Sequence, residues 1–87
     1  MEVNIDLNKI NTKRKFHKLI KKSFKLKGYY DNLDSFYDLL SPISYDLTIN
    51  VYKNKLPSEM DEYFLRFYKT LNYLTTDNNK IKVNYFS

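Results

Sequence analysis

Tyr45-Asp46-Leu47-Thr48-Ile49-Asn50-Val51-Tyr52 alternates apolar Leu47, Ile49 and Val51 with polar Thr48 and Asn50. That is the two-residue period of a half-buried strand. The tracts on either side have a helical period. A strand reached and left through helices is joined to its neighbours by crossovers, and crossovers favour parallel pairing. A parallel sheet with helical crossovers is therefore expected.

Downstream, Pro57-Ser58-Glu59-Met60-Asp61 reads as a helix start, with Ser58 and Asp61 at capping-box spacing. Met60, Phe64, Phe67, Leu71 and Leu74 then recur at alternating steps of four and three, the stripe of a core-facing helix. Thr75-Thr76-Asp77-Asn78-Asn79 reads as a turn. Ile81, Val83 and Tyr85 alternate with Lys80, Lys82 and Asn84, which predicts a last strand.

Upstream, Asn32 is a good N-cap for a short helix whose buried face carries Leu33, Phe36 and Leu40, with Pro42 at its exit. A longer helix precedes it. Asn11 or Thr12 caps it, and Phe16, Leu19, Ile20 and Phe24 form its apolar stripe. Gly28, the only glycine, is placed just beyond, where a left-handed residue often ends a helix. Val3, Ile5 and Leu7 alternate with Asn4 and Asp6 as a first strand. The expectation is one α/β domain over residues 1–87: a small three-stranded parallel sheet with helices packed on it. The alternation in every strand predicts that one sheet face is less fully covered than in a large α/β enzyme.

Eighty-seven residues suffice for one modest core, and nine Tyr and six Phe supply much of it. There is no cysteine, so disulfides and thiolate metal sites are excluded. No basic start leads into an apolar run, and no apolar run is long enough to span a bilayer. These features read as a cytoplasmic protein without a membrane role. No phosphate loop, catalytic triad or metal-ligand spacing is present, so neither enzyme nor cofactor is expected. His17, alone beside core residues, reads as a partly buried polar side chain.

The net charge of +5 conceals two opposite tracts. Nine of the fifteen basic residues fall between Lys9 and Lys27. Gly28 to Tyr52 contains no Lys or Arg, and Asp31, Asp34, Asp38 and Asp46 give it a formal charge of −4. At about 100° per residue, Asp34 and Asp38 share one face of the short helix, with Tyr37 at its border. Tyr29 and Tyr30 lead into it. Phe36 and Tyr30 are also candidates for core packing. As an exposed surface, this is an acidic, aromatic face suited to a cationic partner.

Phe16-His17 and the segment Tyr29-Tyr30-Asp31-Asn32-Leu33-Asp34-Ser35-Phe36-Tyr37-Asp38 resemble the barstar family. Its members typically carry a Leu-His pair in the first helix and a Tyr-Tyr-Gly-x-Asn-Leu-Asp-Ala-Leu-Trp-Asp-type segment. Here the proline usual before the tyrosine pair is absent and one residue is missing between Tyr30 and Asn32. The glycine is lost, and Tyr37 takes the tryptophan position. The family's carboxylate on the last long helix falls near Lys69-Thr70, so that contact is absent or reversed in sign.

The resemblance implies an inhibitor that plugs a ribonuclease active site as a monomer in a 1:1 complex. Asp38 and Asp34 would take the phosphate positions, with Asp31 as a third charge. Tyr29, Tyr30 and Tyr37 would supply anchor area, and Asn32 would set the loop by capping. The alternative is a nucleic-acid-binding module using the basic Lys13–Lys27 helix and the abundant tyrosines.

Overall fold

The computed structural model describes all 87 residues. Three strands, β1 (Glu2–Asp6), β2 (Leu47–Tyr52) and β3 (Ile81–Phe86), form one parallel sheet in the order β1-β2-β3. Helices α1 (Lys13–Phe24) and α2 (Leu33–Leu40) make the first crossover, and α3 (Asp61–Asp77) makes the second. The α/β fold with a small parallel sheet is as the alternation predicted.

Register follows from the side-chain period. Val3 pairs with Ile49, and Ile49 with Val83, so the apolar positions of all three strands fall on one face. The helices cover that face. Eighteen buried side chains form a single core, with Phe16, Phe36, Phe64 and Phe67 among its largest members. Phe16 meets Phe67 edge-to-face, and Phe24 meets Phe36 in the same way, which joins all three helices through aromatic contacts.

The opposite face carries no helix. Asn4, Asn50 and Asn84 lie side by side across it. Asn50 Nδ2 donates to Asn4 Oδ1 at 3.0 Å, and Asn84 Nδ2 donates to Asn50 Oδ1 at 3.0 Å. Asn50, in the central strand, is thereby buried with its amide satisfied.

Several local expectations are corrected. The left-handed residue that ends α1 is Lys25 (φ 53°, ψ 47°), whose N–H reaches the carbonyls of Lys21 and Lys22. Gly28 (φ 73°) serves the turn into Tyr29 instead. At the start of α1, Thr12 rather than Asn11 is the cap, accepting from the Lys15 N–H at 3.1 Å.

Ser58 and Asp61 do interact, but only half as a capping box would. Asp61 Oδ2 accepts from the Ser58 N–H at 2.9 Å, while the Ser58 hydroxyl takes the Met60 N–H, and α3 begins at Asp61. At its other end α3 runs on through Thr75, Thr76 and Asp77, where a turn was expected. Both threonine hydroxyls donate back to the Asn72 carbonyl, so they are satisfied within the helix.

Candidate functional site

The site is built from the loop 28–32 and the exposed side of α2. Asn32 has extended backbone and its Oδ1 accepts from the Ser35 N–H at 2.7 Å, so it caps α2 as the sequence predicted. Ser35 reaches back in turn. Its hydroxyl accepts from the Tyr30 N–H at 3.0 Å, and Asn32 Nδ2 donates to the Tyr30 carbonyl at 3.3 Å. Both backbone groups of Tyr30 are therefore tied to the start of α2. A serine three residues past an N-cap is the local signal for the Ser35 contact, and the sequence reading passed over it.

Asp31, in that loop, stands at φ 55°. This is the left-handed region that glycine enters freely and aspartate tolerates better than most residues. The loop has no glycine between its tyrosines and its cap, and Asp31 takes the left-handed turn there while adding a carboxylate.

Asp34 and Asp38 are exposed one turn apart on α2, with Asp34 in the first turn, where the helix dipole favours a negative charge. A shallow depression brings Tyr30, Asn32, Asp34 and Asp38 together with Ser35 and Leu39. Four of the seven candidate residues thus share one concave surface.

The two tyrosines part company. Tyr30, a candidate for core packing, is 79% exposed. Tyr29 is the buried one, at 8% exposure, and belongs to the core. Its hydroxyl sits on Nδ1 of His17, which is 4% exposed, and the Tyr63 hydroxyl sits on Nε2 at 2.5 Å. His17 therefore bridges α1, the loop and α3 with both ring nitrogens occupied.

Burial lowers the His17 pKa, the Asp31 carboxylate partly offsets that, and Lys13 lowers it further. Burial also drives the Tyr29 phenol well above its ordinary range, with Tyr63 and Asp31 adding to the effect. The neutral forms of both groups are favoured near neutral pH. His17 holds the base of the loop in place, as expected of a satisfied buried histidine.

Tyr37 is half-buried at the edge of α2, and its hydroxyl donates to Oδ2 of Asp77, the last residue of α3. The hydrogen bond to Asp77, with desolvation and the charges of Asp77 and Asp38 behind it, raises the Tyr37 pKa. Lys69 lies in a separate groove with Tyr68, Tyr85 and Phe86. The α3 carboxylate that approaches α2 is Asp77. It is forty residues from Tyr37, and no local pattern announces the contact.

The arrangement is a rigid, exposed cluster of carboxylates and phenols without a deep cavity. No group of three or more His, Cys, Asp or Glu side chains is placed to hold a metal ion. No helix is long and apolar enough to cross a membrane. Residues 1–85 match the family model described as Barstar (barnase inhibitor). The chain belongs to the barstar family. No curated protein sequence matches it. Membership supports a barnase-inhibitor-like role in general, and the barstar match takes in every element from β1 to Tyr85 of β3, with the whole candidate site inside it.

Proposed function

We propose that this barstar-family chain inhibits a ribonuclease by covering its active site with α2 and the loop before it. The observation that carries the reading is the shared depression of Tyr30, Asn32, Asp34 and Asp38, on a backbone fixed by the Asn32–Ser35–Tyr30 hydrogen bonds. Nuclease sites that receive phosphate are lined with cations. Carboxylates held one turn apart can occupy phosphate positions through charge-assisted hydrogen bonds. Because a helix holds them, little conformational freedom is lost on binding.

Within this reading Asp38 and Asp34 are the main phosphate mimics. Asp31 adds charge at the rim, and Asn32 sets the loop. Tyr30 and Tyr37 present amphipathic contact area, which tyrosine supplies with few rotors. Tyr29 contributes by fixing the loop from beneath.

The test is affinity capture from the source cell, followed by assay of the captured ribonuclease with and without added chain. Stoichiometric inhibition that is lost in Asp38→Asn supports the proposal. A captured nuclease whose activity is unaffected by a molar excess of the chain overturns it.

A further inference from the structure

The inhibitory surface leaves the most strongly charged part of the molecule unexplained. From Leu7 to Tyr30 there is no acidic residue, and the nine cations from Lys9 to Lys27 are all exposed. The helix at the centre of this tract is electrostatically ill-suited to stand alone. Its first turn carries Lys13, Arg14 and Lys15 and no acid, which opposes the helix dipole. Arg14, Lys18 and Lys22 repeat at steps of four, a spacing at which like charges repel. The first-turn cations and the like-charge row lower the stability of α1, and no carboxylate in the helix pairs with them. Lys21 and Lys22 in the last turn, where the dipole favours cations, offset this only in part.

Phase places these side chains on one outward row. Phe16, Ile20 and Phe24 bury the inner face. Arg14, Lys18 and Lys22 run along the opposite side, flanked by Lys15 and Lys21, at about 6 Å per four-residue step. We propose that this row binds the phosphodiester backbone of a nucleic acid, as a second activity separate from the α2 surface. A straight row of evenly spaced cations suits a chain with regularly spaced charges better than the patchy surface of an acidic globular protein. A membrane surface fits less well, because the row has no exposed large apolar side chain to insert between lipids. Lys13 stands apart, with its ammonium 5.0 Å from the centre of the Tyr63 ring. Binding is independent of base sequence, since lysines on an open helix face contact phosphate and not base edges.

The test uses the full chain and a short fluorescent single-stranded oligoribonucleotide, with anisotropy read between about 50 and 200 mM salt. Wild type binds with a steep negative dependence of log K on log salt. The triple variant Lys18→Gln, Lys21→Gln, Lys22→Gln binds at least about tenfold more weakly at the lower salt, and its slope is shallower by about 2 for three lost phosphate contacts. Asp34→Asn with Asp38→Asn leaves RNA binding intact, which separates this surface from the inhibitory one. A wild type that does not bind the oligonucleotide overturns the proposal, as does a triple variant with unchanged slope. So does binding to vesicles rich in phosphatidylserine without binding to the oligonucleotide.

Discussion

The Tyr37 hydroxyl donates to the Asp77 carboxylate, which ties the outer edge of α2 to the last turn of α3. The contact holds Tyr37 at the border of the helix face that carries Asp34 and Asp38. Its first consequence is spectroscopic. Tyr37 is one of the tyrosines whose ionisation is held above the ordinary range, in its case chiefly by the hydrogen bond to Asp77. Tyr37→Phe should remove one phenol's amplitude from the high-pH part of the tyrosinate absorbance titration. Asp77→Asn should move that amplitude to lower pH. A titration curve unchanged in Asp77→Asn would mean that the bond does not persist in solution.

The carboxylates carry the binding prediction. Truncating one partner of a buried, hydrogen-bonded interfacial charge pair costs about 2–5 kcal/mol or more, a scale taken from barnase–barstar itself. Asp38→Ala should weaken the complex with the captured nuclease by more than about 2 kcal/mol. Asp38 is exposed in the free chain, so the denaturant midpoint should stay within the scatter of wild type. Calorimetric titration alongside urea unfolding checks both halves. Unaltered affinity would remove Asp38 from the contact set.

How much of this was legible depended on the range of the interactions. The three strands, the cap at Asn32, and the shared face of Asp34 and Asp38 follow from local period and capping chemistry and are visible in the sequence, which left the α1 cap open between Asn11 and Thr12. The separation of Tyr29 from Tyr30 was not legible. It is set by His17 and Tyr63, which reach Tyr29 from two other elements. The Tyr37–Asp77 contact was hidden for the same reason, and further masked because Thr75-Thr76-Asp77 has turn-like composition but continues α3. The end of α1 was misplaced because glycine is the usual left-handed residue there. Lys25 adopts that conformation instead, at a cost that its two backbone hydrogen bonds help to meet.

Asn32 anchors the loop as well as the helix, so its replacement should separate two effects. Loss of an Asn cap to alanine destabilises by about 1 kcal/mol. Asn32→Ala should show that loss in urea unfolding and also loosen Tyr30, because the Nδ2 bond to the Tyr30 carbonyl disappears with the cap. Asn32→Asp keeps a capping oxygen but cannot donate to that carbonyl. It should retain most of the stability while amide exchange at Tyr30 and Asp31 accelerates. Equal exchange rates in wild type and Asn32→Asp would show that Ser35 alone holds the loop.

His17 is the only histidine, so its titration can be followed without assignment ambiguity. Its pKa in the folded protein lies below the ordinary value, first because the ring is buried. The unfolded chain therefore binds a proton more readily than the folded one once pH drops toward about 6.5. Stability from this group is fully present above that value and is lost as pH falls through the folded pKa. Asp31 opposes the depression by favouring the charged ring. Asp31→Asn keeps a side chain that tolerates the left-handed backbone at this position but removes the charge. The His17 pKa should then fall further, and the acid-side loss of stability should extend to lower pH than in wild type. NMR titration of the imidazole, paired with urea midpoints measured across the acidic range, reads both. If Asp31→Asn leaves the imidazole titration where it is in wild type, the loop carboxylate does not reach the His17–Tyr29–Tyr63 cluster, and the acid sensitivity arises from burial and the Lys13 charge without it.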